Sequence, residues 1–226
     1  MKNYIKTIYY ILEKDILLEL RNKDIISSML IFSLLIVTIF SFIINPAADY
    51  KREIASGILW IGVVFSGLLG LNRSIAIETA DDTFTALMLA PVDKSAILFG
   101  KVLSNTLFMV AMELIIIPVF TVFYNVNIFA NSYLAILIFI SCTYGFCLLG
   151  TFFSLIASKT KIGEIILPVL LLPILIPLLL AGIQSLSSCI TGENLDNISQ
   201  WIGIIFIFDL IFTVVINAIF EYIIEE

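Results

Sequence analysis

Residues 25–44 read IISSMLIFSLLIVTIFSFII, twenty residues without one charged side chain. Coiled as a helix rising 1.5 Å per residue, such a run matches the roughly 30 Å hydrocarbon core of a bilayer. Asn45-Pro46 closes it, because proline has no amide donor and restricts the residue before it. Five further apolar runs follow, at about 54–71, 96–124, 133–157, 162–183 and 201–224. Hydrophobic residues make up 61% of the 226-residue chain and charged residues 13%, and the charges fall mainly in the gaps between runs. The fold class this predicts is an all-α polytopic membrane protein with six transmembrane helices. The spans and their short loops use nearly the whole length, so residues 1–226 read as a single membrane domain with no separate soluble catalytic unit.

Ahead of the first span, residues 2–22 have helical periodicity. Ile5, Ile8, Tyr9, Leu12, Ile16 and Leu20 recur on one side, and Lys6, Glu13, Lys14 and Arg21 share the rest. Charges this frequent are costly in hydrocarbon, so the segment is expected to lie in the membrane interface, or else to pack on a partner in the cytoplasm. Met1 to Asp24 contains no apolar signal core or cleavage site, so the first membrane segment is expected to be retained. Orientation follows from lysine and arginine, which cytoplasmic loops retain. With six alternating spans, Lys2, Lys6, Lys14, Arg21, Lys23, Arg73, Lys94, Lys101, Lys159 and Lys161 share one side, and only Lys51 and Arg52 lie on the other. That places both termini in the cytoplasm, in a multi-pass protein of the plasma (inner) membrane.

Much chemistry is excluded. The chain has no histidine, the commonest metal and haem ligand and a frequent general base. Cys142, Cys147 and Cys189 lack CxxC spacing and read as small apolar helix residues. Gly67-Leu68-Leu69-Gly70-Leu71-Asn72-Arg73-Ser74 lacks the GxxxxGK[ST] spacing and lysine of a phosphate loop. No bound cofactor, metal cluster or nucleic-acid patch is expected.

Three features could carry function. In the polar connector 72–94, Phe84, Leu87 and Met88 sit at i, i+3 and i+4, so a short helix there would be apolar on one face. Asp81 and Asp82 favour its N-terminal end and Pro91 stops it. Such a helix could dock in a groove of another protein, or pack on the chain's own spans. Glu113 in span three and Asp209 in span six are acids at membrane depth, where burial is costly. Each is a candidate for transport or for a structural pairing. Pro168, Pro173 and Pro177 in span five each remove an amide donor, so this helix is expected to be kinked or hinged.

With these residues in view, the chain resembles the haem exporter B permeases of cytochrome c maturation, the CcmB family of ABC-transporter membrane subunits. The likeness runs nearly end to end. It includes Leu18-Glu19-Leu20-Arg21, Gly57-Ile58-Leu59-Trp60, Gly67 to Arg73, Leu87-Met88-Leu89-Ala90-Pro91-Val92-Asp93, Lys101 and Leu167-Pro168 with Pro173 and Pro177. The resemblance implies an ABC-2-like permease without enzymatic activity of its own. A second permease copy would pair with two copies of an ABC ATPase that binds the ATP, and haem is the possible substrate. Haem-handling membrane subunits and a periplasmic haem chaperone would complete the set, with membrane lipid around them and no nucleic acid. The connector after span two would be the cytoplasmic coupling helix, with Glu78, Asp81, Asp82, Phe84, Leu87, Met88 and Pro91 as its contacts. Relatives carry a Gly and a Leu-Glu pair where this chain has Asp82-Thr83-Phe84-Thr85, a departure within the docking segment.

Two other readings compete. An ABC-2-type exporter of a lipid, drug or glycan would share the architecture, and neighbouring cytochrome-assembly genes would argue against it. An intramembrane enzyme using Glu113 or Asp209 would need further polar groups converging at one depth, and the sequence gathers none.

Overall fold

In the computed structural model, residues 2–43, 51–80, 87, 89–128, 132–158, 163–192 and 195–225 are described. Among them seven long helices follow in order: α1 (Lys2–Asn22), α2 (Asp24–Ile43), α3 (Lys51–Ala80), α4 (Lys94–Tyr124), α5 (Ser132–Ser158), α6 (Gly163–Thr191) and α7 (Leu195–Glu225). Six of them, α2 to α7, are long and apolar enough to cross a membrane.

Two helices form the centre. In the most apolar window of each span, 72% of residues are buried in α3 and in α5, against 22% in α2 and 28% in α7. The central pair is therefore shielded by its neighbours, and the outer helices leave much of their apolar surface for lipid or another chain. Small residues let the backbones close up. Gly67 of α3 lies under Phe146 and Met109, and Gly70 lies under Met29 of α2. The glycine-rich run that superficially resembles a phosphate loop is thus the packing face of a helix. Arg73 at its end pairs with Asp24 at the start of α2, at 2.9 Å.

The helix ends have identifiable causes. Asp93 caps α4, its carboxylate accepting from the Ser95 amide at 3.0 Å, and Asn125 ends the helix in the left-handed conformation, φ 51°. A single residue, Lys23 at φ 56°, joins α1 to α2. Its amide donates to the Glu19 carbonyl at 2.7 Å, closing α1. The Glu19 side chain turns the other way and accepts from the Ile25 and Ile26 amides at 3.3 and 2.8 Å, so the last turn of α1 caps α2.

Two helices extend past the spans read from the sequence. α3 continues nine residues beyond position 71 to Ala80, and α6 continues from 183 to Thr191. Their polar tails lower the hydropathy without breaking the helix. α6 is helical throughout Gly163–Thr191, with Pro168, Pro173 and Pro177 inside it. Leu167, Leu171, Leu175, Leu178 and Ala181 form its buried stripe, and Pro173 and Pro177 lie on its exposed side.

Candidate functional site

The polar residues of α4 form a row. Lys101, Asn105, Met109 and Glu113 are spaced by four, so they share one inclined ridge of the helix, and all four are buried. Three of them meet α5. Asn105 donates to the Thr151 hydroxyl at 2.9 Å, the Cys147 thiol donates to the Met109 sulfur at 3.3 Å, and the Thr143 hydroxyl donates to the Glu113 carboxylate at 2.6 Å. The partners on α5 are also spaced by four, descending as α4 ascends. The result is a polar seam between antiparallel helices, with one rung per turn. In hydrocarbon such cross-links are worth about 0.6–2 kcal/mol each, and they fix register.

Lys101 begins the same row near the start of α4 and turns to α1 instead. Its ammonium meets both carboxylate oxygens of Asp15 at 2.9 Å, and its exposure is only 3%. A lysine near a helix end is easily solvated, yet here it is buried in an ion pair. Among the described residues of α1, Ile11, Asp15 and Glu19 are buried, while Ile5, Tyr9, Tyr10, Leu17 and Leu20 are exposed. The protein-facing side of α1 therefore carries two acids beside Ile11. Ile11 covers Gly100, and Ser95 shares a hydrogen bond with the Tyr4 hydroxyl at 3.2 Å. A cavity of about 30 Å³ remains between Asp15, Glu19, Ser74 and Lys101.

The second membrane acid has a different setting. Asp209 of α7 lies against Gly145 of α5, where any added Cβ would collide with its Oδ1. That oxygen is buried and has no hydrogen-bond partner among the described residues. Beside it Tyr144 and Thr213 share a hydrogen bond at 3.1 Å. Cys142 lies within coulombic reach of both Asp209 and Glu113. Trp60 of α3 stacks on Phe139 with ring centroids 5.5 Å apart, and its indole N–H is likewise buried without a partner.

The segment 142–145 of α5 is thus flanked by two acids that the sequence left isolated. They do not share one cavity. Thr143 faces Glu113 and Gly145 faces Asp209, and two residues along a helix is a rotation of about 200°. This arrangement supplies separate polar contacts on opposite sides of α5, rather than a paired acid and base. Among the described residues no group of three or more His, Cys, Asp or Glu is placed to hold a metal ion.

Of the docking residues expected in the connector, Asp81, Asp82, Phe84 and Met88 lie outside the described residues, as does the side chain of Glu78. Leu87 is half-buried and Pro91 exposed, and the turn between them is held by the Ala90 amide donating to the Leu87 carbonyl at 3.3 Å. Sequence reasoning missed Asp15, Glu19, Asn105, Thr143 and Thr151. The four-residue spacing of Lys101, Asn105 and Glu113 in an apolar helix was the available signal.

Comparison with known proteins accords with this architecture. A model of the CcmB protein family matches residues 6–220. Heme exporter protein B of Rhodobacter capsulatus is 29% identical over 174 residues, covering 77% of this chain and 79% of that protein. The protein of the same name from Paracoccus denitrificans is 27% identical over 184 residues, covering 81% and 84%. That of Escherichia coli K12 is 32% identical over 85 residues, covering 38% and 39%.

Proposed function

The chain belongs to the CcmB protein family, and from that premise we propose that it is the membrane subunit of a haem exporter serving cytochrome c biogenesis, driven by an ATPase it does not itself contain. The relatives it matches carry the name heme exporter protein B. Two copies of a cytoplasmic ATPase would grip the connector between α3 and α4. Phe84, Leu87 and Met88 would enter an apolar groove, Glu78, Asp81 and Asp82 would make polar contacts, and Pro91 would end the docking segment. Both termini would then be cytoplasmic and the protein would sit in the plasma (inner) membrane.

The observation that carries this reading is what the connector is attached to. Its upstream end is α3, an unbroken thirty-residue helix about 45 Å long at the centre of the bundle. Its downstream end is α4, joined rung by rung to α5 and through Lys101 to α1. A push on the connector would therefore reach α3 and α4 directly, and α5 and α1 through the side-chain contacts of α4. Closure of the ATPases would be transmitted as movement of α3 and α4, and used to export haem or to release the loaded periplasmic chaperone.

The lack of histidine favours transmission over holding. Haem iron would be held by the haem-handling membrane subunits, with haem as the complex's substrate and not a resident of this chain. A second permease copy is supported by α6. Pro173 and Pro177 leave the carbonyls of Val169 and Pro173 without their helical donors, and Val169, Pro173 and Pro177 are all exposed on this chain. Freed carbonyls are tolerated in a membrane where protein or a cavity covers them.

The test is Leu87→Asp, expected to abolish co-purification of the ATPase while leaving the permease in the membrane. Undiminished association would overturn docking at this connector.

A further inference from the structure

We propose that the groove between α5 and α7 seats a transmembrane helix from a different subunit, one that presents a cationic side chain to Asp209. The groove has a volume of about 430 Å³ and is lined by Ser141, Tyr144, Asp209, Leu210, Thr213 and Val214. It runs along both helices and is open on its outer side, where Leu210 and Val214 are exposed. Its floor is polar. Asp209 is 8% exposed and one of its oxygens has no partner, while the Tyr144 and Thr213 hydroxyls are occupied with each other at 3.1 Å.

A carboxylate in such a place must be either protonated or paired, since an unpaired charge in hydrocarbon is costly. Among the described residues no cation of this chain supplies a counter-charge. Lys101 is paired with Asp15 and Arg73 with Asp24. A second copy brings the same two paired cations, which favours a different polypeptide. The occupant must also satisfy its own backbone at that depth, which selects a helix over a loop. A transmembrane helix of another polypeptide, with a lysine or arginine at the level of Asp209, meets both conditions.

The inference rests on the setting of Asp209 and is independent of ATPase docking. A photo-crosslinking amino acid is placed at Leu210 or at Val214 in cells that express the whole assembly, with Leu114 and Val122 of α4 as exposed controls. The expected result is an adduct, specific to the two groove positions, with one other polypeptide, mapping to a transmembrane segment that carries Lys or Arg. Asp209→Leu should lower its yield at least tenfold, and Asp209→Asn, which keeps the shape, reads the same loss if the leucine variant does not accumulate. Asp209→Lys should be rescued by placing Asp at the mapped cation. Adducts with lipid alone, with a second copy alone or with a segment lacking a cation would overturn the proposal, as would a yield indifferent to Asp209. ATPase co-purification from the same membranes reports separately on the connector.

Discussion

Lys101 and Asp15 are a buried pair with two short contacts, and their energetics follow from what burial costs. Removing one partner takes away the main counter-charge of the other, Asp15 keeping only Lys14 at 3.2 Å; breaking a buried pair typically costs up to about 3–5 kcal/mol, whereas replacing both by apolar residues of similar size is often nearly neutral. Lys101→Met or Asp15→Leu alone is therefore expected to lower thermal stability in detergent sharply, and the double variant to recover most of it. A double variant as unstable as the sum of the singles would show that the pair is not a closed unit. Glu113 allows a second separation. Glu113→Gln keeps an acceptor for Thr143, so its stability should stay within about 1 kcal/mol of the parent, and Glu113→Leu should lose one rung of the seam. If Glu113→Gln also matures cytochrome c normally, Glu113 serves the register of α4 against α5 and not proton chemistry. The sequence exposed Glu113 and Asp209 as costly residues. It concealed Asp15, because an acid in an amphipathic helix looks solvated until the lysine that faces it is located.

At the scale of the elements, apolar length made the six spans legible, while their ends were harder. The tail of α3 from Asn72 to Ala80 is polar, and hydropathy alone reads it as a loop; it is helical because no glycine or proline interrupts it. The joint between α1 and α2 was hidden for a different reason: it rests on one dihedral and one side chain. Lys23 sits at positive φ, which costs a non-glycine residue about 1–2 kcal/mol. Lys23→Gly is expected to leave the joint intact or strengthen it. Lys23→Pro should break it, since proline holds φ near −65° and removes the amide that donates to Glu19. Protease accessibility of residues 20–26 in purified protein would distinguish the two variants.

For the whole molecule, the proposed division of labour gives a spectroscopic expectation. Permease purified away from its partners should carry no stoichiometric haem with a ligated Soret band, because no imidazole is available in the chain. The intact assembly should bring haem with it. Stoichiometric ligated haem on the isolated permease would return the iron to this chain, with tyrosine, methionine or cysteine as the remaining ligands.

The row of polar side chains on α4 also bears on how the protein is made. A translocon scanning α4 alone meets a lysine, an asparagine and a glutamate that the bilayer accepts only at a cost. The groups that answer them come at different times: Asp15 is synthesised earlier, and Thr151 and Thr143 only afterwards. Nascent chains ending at residue 128 should therefore leave α4 poorly integrated, and chains extended through residue 158 should insert it together with α5 as a hairpin.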